Sequence, residues 1–80
     1  MATVHLPRGL MHYTGGLERI TVDAGRVHDL IVALGERFPG IAEPLEEMAV
    51  AVDGEIYSDP GYQPLRPDSE VHLIPRIAGG

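Results

Sequence analysis

Most side chains in this sequence that could do chemistry are not placed to do it. The 80 residues include no cysteine. Disulfides, thiolate zinc sites and a cysteine nucleophile are therefore excluded. The four histidines stand at 5, 12, 28 and 72. His5 and His72 fall on strand-like segments, but two imidazoles without a third ligand make a poor metal centre. Glu43, Glu46 and Glu47 crowd the segment "EPLEE". That pattern reads as a solvated acidic turn, not as an acid–base pair facing into a cleft. Thr14–Gly15–Gly16 lacks the strand–loop–helix setting of a phosphate loop. What remains is the ending "EVHLIPRIAGG", in which an apolar strand passes through Pro75 and Arg76 into Gly79 and Gly80. Two glycines add no packing and lose much entropy when ordered. The group they carry, the Gly80 carboxylate, is the candidate reactive group.

Several short elements must position that ending. "TVHL" (Thr3–Leu6) and "LERITV" (Leu17–Val22) alternate in polarity, as half-buried strands do. The ten residues between them close on Thr14–Gly15–Gly16, with Leu10, Met11 and Tyr13 expected to fold over one end of the core. In "RVHDLIVALGERFPG", Val27, Leu30, Ile31, Leu34 and Phe38 share one helical face, and His28, Asp29, Glu36 and Arg37 share the other. Asp23 is placed near the helix start and Pro39–Gly40 ends it. Gly35 costs about 1 kcal/mol against alanine inside a helix, and close approach of a strand would explain it. "EPLEE" makes a short turn. "MAVAV" (Met48–Val52), Asp53–Gly54 and "EIY" form a hairpin. Leu65 anchors the loop that follows. "EVHLI" (Glu70–Ile74) is the last strand, with Val71 and Leu73 inward and His72 and Ile74 outward.

One helix cannot cover two sheets, so a single sheet must wrap it. The helix supplies the crossover that lets the first and last strands pair in parallel at the middle of that sheet. The expected fold is therefore α+β: a β-grasp, or ubiquitin-like, mixed sheet of four to five strands wrapped on one helix. The domain is expected over residues 1–75, with a flexible tail at 76–80.

The last twelve residues, "SEVHLIPRIAGG", resemble the ubiquitin C-terminus in the placing of Ser69, His72, Leu73, Arg76, Ile77 and both glycines. Over nearly its full length the chain is more similar to the MoaD/ThiS sulfur carriers. The matching pieces are "VHDLIVALGERFPGI", "MAVAVDGEIY" and "PLRPDSEVHLIP" running into Gly79–Gly80. The opening "VHLPRGLMHYTGG" resembles carriers that deliver sulfur for cysteine synthesis, which show a Pro, a Leu and Thr–Gly–Gly in this order. It departs from the apolar-aromatic opening of molybdopterin synthase small subunits. The middle segment "VAVDGEIYSDPGYQPL" is equally close to thiamine-pathway carriers.

The resemblance implies a protein co-substrate and not an enzyme. Gly80 is activated by an ATP-dependent, ubiquitin-activating-type adenylyltransferase. It then becomes a thiocarboxylate by taking sulfur from a donor of the cysteine desulfurase or rhodanese type. A downstream synthase receives the sulfur, in cofactor or cysteine biosynthesis. No cofactor is bound, and the ATP is used by the activating partner. Gly79, Ala78, Ile77 and Arg76 would enter the partner's narrow channel, where glycine's missing Cβ matters most. Pro75 confines bending to the residues beyond the strand. Outward-facing Ile74, His72 and His5 are the expected docking residues. The same tail would suit two alternatives: the small subunit of a molybdopterin synthase, or a ubiquitin-like conjugating tag. A ubiquitin-like module with an inert tail is the remaining possibility.

Composition narrows the partners. A net charge of −6 argues against nucleic acid and favours a basic docking surface. No apolar stretch is long enough for a signal peptide or a membrane span, so a cytoplasmic protein without membrane contact is expected. All six basic residues are arginine. A chain without lysine cannot build lysine-linked chains on itself.

Overall fold

A computed structural model of the protein describes residues 1–57 and 60–75. Val4, Val71 and Val52 lie side by side on three neighbouring strands, all buried, and mark the centre of the sheet. The strands are β1 (Ala2–His5), β2 (Arg19–Val22), β3 (Ala49–Val52), β4 (Glu55–Tyr57) and β5 (Glu70–Ile74). Their order is β2-β1-β5-β3-β4. β1 and β5 pair in parallel, and every other pairing is antiparallel. This is the expected β-grasp, with all five strands formed.

Helix α1 (Val27–Arg37) lies across the inner face, where Val27, Leu30 and Leu34 are fully buried. Ile31 and Phe38 pack half-buried against the same core. Each fully buried branched side chain contributes about 1.5–3 kcal/mol, so this face is a main source of the domain's stability. The helix start differs from expectation. No side chain caps it, and Asp29, not Asp23, is the carboxylate in its first turn. The loop before β5 does the capping instead: the Val27 N–H donates to the Gln63 carbonyl at 3.0 Å, and the Leu65 N–H to the Gly25 carbonyl at 2.9 Å. Leu65 is thereby the anchor the sequence suggested.

Gly35 also has a different reason from the expected one. A Cβ there would stand 3.2 Å from the Ala42 Cβ. Ala42 opens the short helix α2 (Ala42–Glu46), so a helix and not a strand makes the close approach. The strand limits shift by one or two residues. β2 begins at Arg19, leaving Leu17 exposed, and β3 begins at Ala49. Leu10 and Tyr13, on the 3-10 turn Arg8–Tyr13, cover one end of the core.

Candidate docking face and C-terminal tail

The outer face of the sheet, opposite α1, is set by strand alternation. β5 reads exposed, buried, exposed, buried, exposed, which sends Glu70, His72 and Ile74 outward. Paired residues share a face, so the register draws one row across the sheet. It runs Arg19, His5, His72, Ala51, Ile56. Ile74 pairs with Ala49 two residues further along β5. The expected docking residues His5, His72 and Ile74 are therefore brought together on the strands nearest the tail. The two imidazoles stack, with ring centroids 4.2 Å apart and planes 5° from parallel. His5 Nε2 lies 3.0 Å from Glu70 Oε1. Ile74 is 36% exposed and Ile56 67%. The β3 residues that pair with them, Ala49 with Ile74 and Ala51 with Ile56, carry small side chains.

The start of β5 is held at the other end of the sheet by Asp53. This residue turns the β3–β4 hairpin at φ 50°, with Gly54 at φ 87°. Positive φ at both positions matches the right-handed twist of the strands. The Asp53 carboxylate accepts the Glu70 N–H at 2.9 Å and the Ser69 hydroxyl at 3.1 Å. Ser69, 1% exposed, accepts the Arg66 N–H at 2.8 Å. The Arg66 guanidinium stands 3.5 Å from Asp53. The Glu70 N–H, then Ser69 and Arg66, outweigh partial desolvation and hold the Asp53 carboxyl below its ordinary range. An open cleft here is lined by Asp53, Tyr57 and Gln63 among others. Its best-placed polar groups are already committed to one another, so it serves the fold.

The expected reactive residue Gly80, and Gly79, Ala78, Ile77 and Arg76, lie outside the described residues. Among the described residues no group of three or more His, Cys, Asp or Glu is placed to hold a metal ion. No helix among them is long and apolar enough to cross a membrane.

The model of the ThiS family matches residues 4–80. The chain belongs to the ThiS family. The match begins within β1 and runs on to the last glycine. Among solved structures, a chain of the Amycolatopsis orientalis BexX/CysO complex is 24% identical, with a TM-score of 0.88 and all of both chains covered. Mycobacterium tuberculosis CysO is 20% identical at a TM-score of 0.87, covering 96% of this chain and all of that one. The complex of subunits 1 and 2 of the Helicobacter pylori molybdopterin-converting factor contains a chain 20% identical at a TM-score of 0.68. There 99% of this chain and 97% of that one are covered. At these identities the likeness establishes the ubiquitin-like fold. Two of these relatives were solved bound to a protein partner. No curated protein matches the chain.

Sequence reasoning missed two features. Ile56 adds an exposed apolar side chain to this face, but "EIY" is too short for its alternation to assign a face. Asp53 was legible as a turn residue, whereas its hydrogen bonds to residues 69 and 70 depend on tertiary pairing.

Proposed function

We propose that this ThiS-family protein is a sulfur carrier that works through the Gly80 carboxylate. An adenylyltransferase partner uses ATP: the carboxylate oxygen attacks the α-phosphorus, and pyrophosphate leaves. The terminal sulfur of a persulfide on a donor protein of the cysteine desulfurase or rhodanese type then attacks the acyl carbon, and AMP departs. A thiol cleaves the S–S bond of the resulting acyl disulfide, leaving the thiocarboxylate on the carrier and a disulfide on the donor side. The resulting thiocarboxylate passes its sulfur to a downstream synthase. In this scheme the chain is a co-substrate and binds no cofactor of its own. The observation that carries the reading is the extent of the family match, which reaches Gly80 itself.

The chain's own residues have separable tasks in this scheme. Gly79 and Gly80 present a carbonyl with no Cβ to obstruct a narrow channel. Arg76 offers a planar fork to acidic groups beside that channel. Ile74, His72 and His5, extended by Ile56, form the surface on which the partner docks. Aromatic and apolar anchors near the centre of such a patch carry most of the binding energy.

The adenylation step is tested by ATP-dependent AMP release with the cognate adenylyltransferase and a thiol acceptor. The wild-type chain is expected to support turnover, and a variant with one alanine appended after Gly80 is expected to abolish it. Equal turnover by both would show that the reacting carboxylate need not belong to Gly80.

A further inference from the structure

The sequence contains no asparagine, and of Asp23, Asp29, Asp53, Asp59 and Asp68 only Asp53 precedes a glycine. An Asp–Gly step is the aspartate setting most prone to rearrange through a succinimide, because glycine has no Cβ to hinder attack by its backbone nitrogen. Ring closure needs the carboxyl carbon to turn back onto the nitrogen of the next residue. It also needs the carboxyl protonated, so that water can leave.

The fold opposes both requirements. Asp53 and Gly54 form the tip of the β3–β4 hairpin, at φ 50° and 87°. The Asp53 N–H donates to the Glu70 carbonyl at 2.9 Å, and the Glu70 N–H donates to the Asp53 carboxylate at 2.9 Å. Backbone and side chain of Asp53 are thus both tied to one residue at the start of β5. The second carboxylate oxygen accepts the Ser69 hydroxyl at 3.1 Å and lies 3.5 Å from the Arg66 guanidinium. These partners hold the carboxylate toward β5. They also favour its charged form, which is a poor electrophile. The side chain is 34% exposed, so water reaches it once these contacts open.

We propose that Asp53 is a gated isoaspartate site, one that reacts only when the start of β5 releases its carboxylate. The Gly54 nitrogen then attacks the Asp53 side-chain carboxyl carbon and a C–N bond forms. The carboxyl OH and the amide proton leave as water. Water adds back to the five-membered ring at either carbonyl. Addition at the side-chain carbonyl restores aspartate, and addition at the backbone carbonyl leaves the chain running through the side chain as isoaspartate. That product lengthens the backbone of a two-residue turn by one methylene and carries a free α-carboxylate. The bonds to Ser69 and the Glu70 N–H cannot then reform in their native geometry. The change therefore records an opening of β5 and weakens the strand that carries His72 and Ile74. Only water is needed as co-reactant, and nothing in the step depends on the sulfur-carrier reading.

The test follows isoaspartate at residue 53 in the full chain, aged at mildly acidic pH and body temperature, with and without denaturing urea. Arginine-specific digestion and electron-transfer fragmentation locate it, and the peptide "MAVAVDGEIY" sets the rate in the absence of a fold. The peptide and the urea-unfolded chain are expected to accumulate isoaspartate at similar rates. The native wild type should do so at least about ten-fold more slowly, since the site must first open locally. Ser69→Ala removes one hydrogen bond to the carboxylate and should raise the native rate about three-fold or more, with circular dichroism confirming the fold. If that variant does not fold, Arg66→Ala, a change at an exposed residue, takes its place with the same expectation. A native wild type that reacts as fast as the peptide would overturn the gating. Absence of isoaspartate from both the peptide and the unfolded chain would overturn the site itself. A folded variant no faster than the wild type would overturn the role given to these contacts.

Discussion

The His5 imidazole lies flat against that of His72, with ring centroids 4.2 Å apart. Those residues belong to β1 and β5, the one parallel pairing in the sheet and the seam between the two halves of the chain. On the inner side of that seam Val4 and Val71 are fully buried under α1. The seam is thus packed on both faces. The proposed docking surface sits on its outer side, immediately before the residues that carry the tail. A surface on two central strands is held more firmly than one on a loop, which favours precise presentation of the tail to a partner.

Ile74 provides the sharpest test of that surface. Replacing it with aspartate should leave the thermal unfolding midpoint within a few degrees of wild type, because the side chain faces outward. Binding to the adenylyltransferase should weaken about ten-fold or more, a loss of about 1.4 kcal/mol or greater. Calorimetric titration alongside a melting curve checks both. An unfolded variant would mean that the faces of β5 are exchanged, since a slip of one residue swaps them.

Asp53 makes a pH-dependent prediction. Its carboxyl titrates below the ordinary value because the Glu70 N–H, Ser69 and Arg66 favour the charged form. A depressed native pKa contributes stability that is present above the unfolded-state value of about 3.9. That contribution is lost as pH falls through the lower native value. Asp53→Asn should therefore be less stable than wild type at neutral pH. The gap should narrow as the pH is lowered through the acid range. Asparagine tolerates the positive φ of this turn, so the comparison isolates the charge. Urea unfolding midpoints at neutral and acid pH measure it, and a gap that does not change with pH would assign the effect to turn geometry instead.

The fold was legible because its signals are local and agree. The helical face from Val27 to Phe38, the Asp53–Gly54 hairpin and the alternation of "EVHLI" each specify an element without knowledge of the others. His5 and His72 could be assigned to one outer face from alternation and the expected parallel pairing. Their stacking could not be foreseen, because ring geometry depends on register and rotamer. Gly35 illustrates the same limit: a helical glycine signals close approach, but only the tertiary structure names Ala42 as the neighbour. The capping of α1 by the backbone of residues 63–65 was hidden for the same reason, since backbone groups leave no mark in the sequence. The Gly80 carboxylate was proposed as the reactive group from its chemistry, and the role proposed for it rests on the family resemblance.

The central claim is that Gly80 carries sulfur, and intact-mass spectrometry tests it most directly. The full chain is incubated with the cognate adenylyltransferase, ATP and a cysteine desulfurase with cysteine. The account predicts a product heavier by the replacement of one oxygen with sulfur. The change should map to Gly80 on fragmentation and require ATP. A chain whose mass never changes under these conditions, while the adenylyltransferase activates a known carrier in parallel, would contradict it.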